Sequence, residues 1–203
     1  ITSPGALTTV QDLGRRGWRR FGVPLAGALD TGLLRIANRL AGNPDSSPAL
    51  EFFLAGPSFT AVDAPVQLGF AGHFKVTLQR GSERSVLESW RSVTLQPGDT
   101  LRVGQLSSGR VGYVAAAGLV VAPVLGSAST YVRARLGGLD GRPLAAGDRL
   151  QVAALATSPL DTCSADRVLR QPPVALDAPI RVVAGPQDDH FDAAAMAMFL
   201  TSE

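Results

Sequence analysis

Cysteine, lysine, histidine and long apolar runs are all scarce in this chain, and each scarcity excludes a class of function. A single cysteine, Cys163, allows no internal disulfide framework and no cysteine-based zinc site. It sits among Asp161, Thr162 and Ser164 in a connector and reads as an incidental thiol. Lys75 is the sole lysine, so Schiff-base chemistry or a biotinylated lysine rests on Lys75 or is absent from these residues. For the same reason no G-x-x-x-x-G-K-[ST] phosphate loop can be written. Two histidines, His73 and His190, cannot build a multi-histidine metal site. The dinucleotide fingerprint, H-E-x-x-H and G-x-S-x-G are missing too. No apolar stretch approaches the ~20 residues of a membrane span and no secretory leader is visible, so the default expectation is a soluble, cytoplasmic protein. The chain opens at Ile1 rather than methionine, so its true start is expected upstream. Charge of one sign is lacking as well: 19 basic and 17 acidic residues leave +2, too even for a protein that lives by neutralising phosphodiesters.

What is present is apolar and turn-rich. Hydrophobic residues make up 45% of the 203, enough for one packed domain and part of a second. Short β-type runs lie between glycines and prolines. Phe74, Val76 and Leu78 alternate with Lys75, Thr77 and Gln79, the period of a half-buried strand. Arg80–Glu83 is a turn, Ser85–Val93 a further strand, and Val111–Ala117 with Leu119–Val121 buried strand segments. Leu95-Gln96-Pro97-Gly98-Asp99-Thr100-Leu101 is echoed by Leu144-Ala145-Ala146-Gly147-Asp148-Arg149-Leu150; in each, glycine and aspartate set a turn before the next strand. Many short strands with frequent turns predict a barrel or sandwich. One helix interrupts them. Asp30 or Thr31 caps it, Leu33, Leu34, Ala37, Leu40 and Ala41 share a face, Arg35 and Arg39 point away, and Gly42-Asn43-Pro44 ends it. From 155 to 179 the composition turns to that of a linker. Beyond it come a strand, Ile180–Val183, a Gly185-Pro186 turn and a helix, Phe191–Leu200. These are too few to bury a core, so the domain plan is a first unit over 1–154, a linker over 155–179, and the start of a second, truncated unit over 180–203.

Four polar clusters carry the chemistry. In Thr8–Trp18, Gln11, Asp12 and Arg15 can project into a pocket, with Arg15 able to fork onto an oxyanion, or Asp12 can close a turn beside solvated arginines. Gly22–Asp30 leads toward Asn38 and Asn43. Glu51 enters the apolar run Leu50–Leu54, where burial would raise its pKa toward that of a working general acid or base. Gly126–Arg133 offers Ser127, Ser129, Thr130 and Arg133, hydroxyls and a guanidinium suited to an anion or a planar amide, and suited equally to a surface loop.

Taken in order, P-G-x-x-T-T-V-Q-D-x-G-R-x-G, G-V-P-x-x-G-x-x-D, A-N-x-L-x-G-N, L-E, G-P, G-S-x-S-T, L-G-G-x-x-G-R-x-L and G-D-x-L, with R-V-x-x-G-P-Q-D-x-x-F at Arg181–Phe191, resemble the biotin-dependent carboxyltransferase family, also called allophanate hydrolase subunit 2. That family includes the C subunit of 5-oxoprolinase, the protein KipA and the carboxyltransferase region of urea carboxylase. The resemblance implies a mainly β, cyclophilin-like β-barrel with a few short helices, followed by a second similar unit. Leu29, Ala71-Gly72-His73 and Leu119 depart from the usual pattern. The activity it implies is ATP-dependent opening of a cyclic amide, 5-oxoproline, to glutamate. The partners it implies are the 5-oxoprolinase B subunit, a homologue of allophanate hydrolase subunit 1, and the A subunit. In that scheme Asp12, Glu51 and Arg15 are the catalytic candidates, and Gln11, Asn38, Ser127, Ser129, Thr130 and Arg133 the substrate-binding ones. ATP is held by the complex rather than necessarily by this chain, no metal is called for, and biotin is not attached here. Two other roles fit the resemblance. One is carboxyl transfer to urea or another acceptor, the carrier being a separate polypeptide. The other is a KipA-like antagonist of a kinase inhibitor, which needs only a partner surface such as Trp18, Phe21 and Trp90 with the arginines at 15–20, although Trp90 suits core packing better.

Overall fold

In the computed structural model, residues 1–153, 166–170 and 179–201 are described. They fall into two compact units, Ile1–Gln171 and Pro172–Glu203.

The first unit is built on one antiparallel sheet. Its strands are β1 (Leu7–Gln11), β2 (Ala49–Phe53), β3 (Ser58–Thr60), β4 (Val66–Arg80), β5 (Glu83–Glu88), β6 (Ser92–Leu95) and β7 (Thr100–Ala116). The order is β1-β2-β7-β4-β5, with β3 on β7 and β6 on β4, so among the described residues β1 and β5 end the path and the sheet stays open, which corrects the closed cyclophilin-like β-barrel that the resemblance implied. A small second sheet pairs β8 (Leu119–Val120) with β9 (Gln151–Val152). The mainly β character expected from the turn spacing is what the chain adopts. Alternation divides the side chains between two cores, because neighbours along a strand project to opposite faces. Val10, Leu50, Phe52, Phe70, Leu101 and Val114 pack on one side of the sheet. Ala49, Ala71, Val111, Tyr113 and Ala115 on the other side pack against Leu34, Ala37 and Ala41.

Those last three residues belong to α1 (Thr31–Ala41), the helix read from periodicity. Asp30 caps it, its Oδ1 accepting from Leu33 N–H at 2.9 Å, and Gly42 closes it in the left-handed conformation at φ 85°. Arg35 and Arg39 are exposed as expected. The two echoing turns also share one device. Asp99 accepts from Gln96 N–H at 2.9 Å and Asp148 from Ala145 N–H at 2.7 Å, each carboxylate satisfying the amide three residues back.

Three expectations change. Ser85–Val93 is two strands rather than one, broken at Ser89–Arg91, where Trp90 sits at φ 63°. The break answers register shifts in β4 between Ala71 and Val76, since Trp90 N–H reaches Phe70 C=O and Ser89 N–H reaches Phe74 C=O across them. Within the span read as a linker, Val168 bridges Arg91 and Leu169 N–H bonds Trp90 C=O at 2.8 Å, so 166–170 is tied to the first unit; 154–165 and 171–178 lie outside the described residues. In the second unit Ile180–Val183 is not a strand, having no described segment to pair with, while the helix expected at Phe191–Leu200 is α2 (Ala193–Thr201). No helix among the described residues is long and apolar enough to cross a membrane.

Candidate functional site

Register across three strands assembles a polar row under α1. Thr9 of β1 lies opposite Glu51 of β2, and Glu51 lies opposite Tyr113 of β7, so the three share a face. Gln11, two residues beyond Thr9, joins them and donates from Nε2 to Thr9 Oγ1 at 2.9 Å. The row is almost sealed: Glu51 is 5% exposed and Tyr113 0%.

Two consecutive amides just before α1 complete it. Glu51 Oε2 accepts from Leu29 N–H at 2.7 Å and from the Tyr113 hydroxyl, and that hydroxyl oxygen accepts from Asp30 N–H at 2.9 Å. Burial is the largest influence on Glu51 and raises its pKa; the bonds from Tyr113 and Leu29 pull it back, the nearby Asp30 charge adds to the rise, and the net direction is up from 4.5. Burial, and then the Glu51 charge, also push the Tyr113 phenol up, which keeps it a neutral donor. One oxygen is thus held by two donors, and the other, Oε1, carries no hydrogen bond among the described residues.

The second cluster is a knot. Asp12 Oδ1 accepts from Gly14 N–H at 2.8 Å, from Ser127 Oγ at 2.6 Å and from Ser129 Oγ, while Oδ2 accepts from Ala128 N–H at 2.6 Å. Partial burial pushes Asp12 up, but these four donors outweigh it and hold the carboxyl below 3.8. Arg15, fully buried, donates from Nε to Val124 C=O at 3.0 Å and from Nη2 to Ser129 C=O at 2.7 Å, and Nη1 has no acceptor. Thr130 Oγ1 donates to Val10 C=O and Gln11 Nε2 to Thr130 C=O, leaving Gln11 Oε1 buried without a donor. Carboxylate and guanidinium therefore grip one segment, 124–130, from complementary sides: the anion takes its N–H and O–H groups, the cation its carbonyls.

The segment before α1 links row and knot. Arg15 N–H bonds Leu25 C=O at 2.7 Å, and Ala28 N–H bonds Asp12 C=O at 2.9 Å, one residue before the Leu29 amide that holds Glu51. Of the residues expected at the site, Gln11, Asp12, Arg15, Ser127, Ser129 and Thr130 come together, and Glu51 is joined to them through this segment. Asn38 is buried, but its amide serves the helix end, donating to Ser47 C=O at 2.7 Å and accepting from Asn43 at 3.1 Å. Arg133 stands exposed on the 3-10 turn Val132–Ala134, and its guanidinium makes no ion pair among the described residues. Arg15 faces main-chain carbonyls where an oxyanion clamp had been expected. Tyr113 and the Leu29 and Asp30 amides were missed. A tyrosine inside Val111–Ala117 was the available signal, since a buried phenol needs a partner. No described group of His, Cys, Asp and Glu is placed to hold a metal.

Comparison with known proteins agrees with this architecture. The family description carboxyltransferase domain, subdomain A and B, matches residues 21–203. The chain is 36% identical over 207 residues to the C subunit of 5-oxoprolinase from Escherichia coli (strain K12), covering 100% of this chain and 62% of that protein. It is 38% identical over 152 residues to urea amidolyase of Lachancea kluyveri, covering 74% of this chain and 8% of that one. Among solved structures, TTHA0988 superposes with a TM-score of 0.78 at 36% identity, over 92% of this chain and 36% of that chain. Kluyveromyces lactis urea carboxylase gives 0.70 at 33% identity, over 83% and 14%. The chain thus spans less than two thirds of the length of the curated relatives it matches. With strands β2 to β9, helix α1 and the Glu51–Tyr113 pair inside the matched range, and β1 with Thr9 and Gln11 just before it, the chain belongs to the carboxyltransferase domain, subdomain A and B, family.

Proposed function

We propose that this chain is one component of an ATP-dependent cytoplasmic complex that hydrolyses a small amide, 5-oxoproline to glutamate, together with homologues of the 5-oxoprolinase A and B subunits. Similarity to two proteins named as the C subunit of 5-oxoprolinase, from Escherichia coli and Haemophilus influenzae, supports the substrate class. The observation that carries the chemistry is Glu51: a buried carboxyl with a raised pKa, one oxygen pinned by Leu29 N–H and Tyr113, the other unbonded. Water adding to the amide carbonyl must lose a proton, and the departing nitrogen must gain one. Glu51 Oε1 is suited to take the first and return the second, while Tyr113 and the two amides hold its partner oxygen in place. The buried Gln11 Oε1, which lacks a donor, suits the N–H of a planar amide.

ATP supplies activation of the amide oxygen, and we assign its binding to a neighbouring polypeptide. This sequence has no phosphate loop, and Arg15 directs its donors to Val124 and Ser129 carbonyls. In the full-length protein assembled with the A and B subunits, Glu51→Gln is expected to lower kcat for 5-oxoproline-coupled ATP hydrolysis roughly 10²-fold or more with little change in KM. It should also remove the acid limb of the pH profile, which in the native complex lies above 4.5 because a base must be deprotonated to act. Native kcat in the variant would eliminate Glu51 from the reaction.

Carboxyl transfer is the second reading, favoured by the matched family description and by the urea amidolyase similarity. It requires biotin carried by another polypeptide. Lys75 is exposed, paired with Glu88 at 3.0 Å on the surface of the sheet, and lacks flanking methionines, a poor fit to a biotinyl lysine. A streptavidin blot of the native complex, with bicarbonate-dependent carboxylation of urea measured alongside, separates the two readings.

A further inference from the structure

One feature of the first unit serves neither core nor row. Between Arg15 and Val23 the chain leaves the sheet and returns as a short projection, closed by Phe21 N–H and Val23 N–H on Trp18 C=O and by Gly22 N–H on Arg19 C=O. Its root is fixed by the buried Arg15, and its tip is not packed. Arg16, Arg19 and Arg20 are exposed, Phe21 is 61% exposed, and a Cβ built on Gly17 or Gly22 would meet nothing within 4 Å. The Trp18 and Phe21 rings lie 5.7 Å apart, with the Arg20 guanidinium 4.7 Å from the Phe21 ring. From Leu13 to Leu29 there is no acidic residue, and none of the three exposed arginines forms an ion pair among the described residues. Three unpaired cations around two accessible aromatic rings are uneconomical as a solvent face. They match the anchor types of protein interfaces, where Trp, Tyr, Phe and Arg are enriched.

We propose that the 16–21 projection is a docking surface for an acidic face of a second polypeptide, the aromatic rings providing the desolvated centre and the guanidiniums the charge complement. The proposal rests on the multi-component reading above and names where assembly occurs. Its position gives docking a route to chemistry. Arg15 at the root bonds Leu25 C=O, and the segment beginning there supplies the Leu29 and Asp30 amides that hold Glu51 and Tyr113. A partner seated on the projection therefore bears on the strap that orients the candidate proton carrier. The near-neutral net charge argues for a protein rather than a nucleic acid as the occupant.

The test uses the full-length protein and the purified A and B subunits, with affinity measured by calorimetry at low and high salt. A triple variant, R16E/R19E/R20E, and the single variant Phe21→Ala are compared with a control, R84E/R110E, that reverses two exposed arginines elsewhere; unchanged circular dichroism and Tm establish folding. The expected result is affinity for these partners weakened about tenfold or more by the triple variant and by Phe21→Ala, with no loss in the control and weaker native binding at high salt. If the partners bind native and variant proteins equally, the docking surface is wrong and the multi-component reading stands. If they do not bind the native protein at all, both fail. A 20-nucleotide oligouridine that binds the native protein and is lost by the triple variant, with partner binding intact, would overturn the proposal in favour of nucleic acid.

Discussion

Two carboxylates of this protein differ by environment alone, and their pH behaviour has opposite sign. Asp12 is held below 3.8 by four donors that outweigh its burial, so it contributes stability that is present above 3.8 and lost as pH falls through its lower folded value. Urea midpoints of the native protein should drop in that acid window. Asp12→Asn, which leaves donors of Ser127, Ser129 or Ala128 without an anion, should cost about 1–3 kcal/mol at neutral pH and flatten the acid drop. An unaltered profile would show that the 124–130 segment is held by Arg15 and Thr130 without it. Glu51 is raised above 4.5, so its contribution is present below 4.5 and lost as pH rises through its higher folded value. Burying a carboxylate is a cost to folding, so on the proposed role Glu51→Gln is expected to raise Tm at neutral pH in the same samples whose kcat falls. A fall in both would mark Glu51 as a structural residue. The sequence announced Glu51 through an acidic side chain in an apolar run, yet Asp12 looked equally reactive. Nothing local distinguishes a carboxylate that will meet four donors from one that will meet a single phenol and one amide.

At the scale of elements, the seating of α1 on the sheet decides whether the row forms at all. The helix crosses β4 at Gly69, where an added Cβ would come within 2.2 Å of Ala37 C=O and 2.5 Å of Ala41 N. Those are main-chain atoms that cannot swing aside, so Gly69→Ala must lift the helix. The expected cost is roughly 1–3 kcal/mol or more, read as a lower Tm. Because Leu29 and Asp30 enter directly into that helix, kcat should fall as well, although residue 69 touches neither Glu51 nor Tyr113. A lowered Tm with native kcat would show that the amides are positioned independently of α1. The helix was legible because its period, its Asp30 cap and its Gly42 stop lie within a dozen neighbours. The break at Ser89–Arg91 was not, because it is imposed by irregular register in β4, a partner that Ser85–Val93 cannot reveal by its own alternation.

For the whole molecule, the buried residues and every candidate site residue belong to the first unit, and none of the described residues of the second is buried. Expressed alone, Ile1–Gln171 should unfold cooperatively at the urea midpoint of that unit in the whole chain; a midpoint lowered by more than the fitting error would show that Pro172–Glu203 supports it. The sequence by itself determined the elements: alternating strands, a capped amphipathic helix, Gly-Asp turns, and the ordered motifs by which the family resemblance could be seen. These are decided within one or two turns of chain, by side-chain period and backbone preference. Tertiary structure decided which polar groups meet. Asp12 and Ser127 are 115 residues apart, Glu51 and Tyr113 are 62, and their bonds exist because strand pairing sets Glu51 opposite Tyr113 and returns 124–130 to the end of β1. Only that pairing separates a knot that fixes a loop from a carboxyl left with one oxygen unbonded.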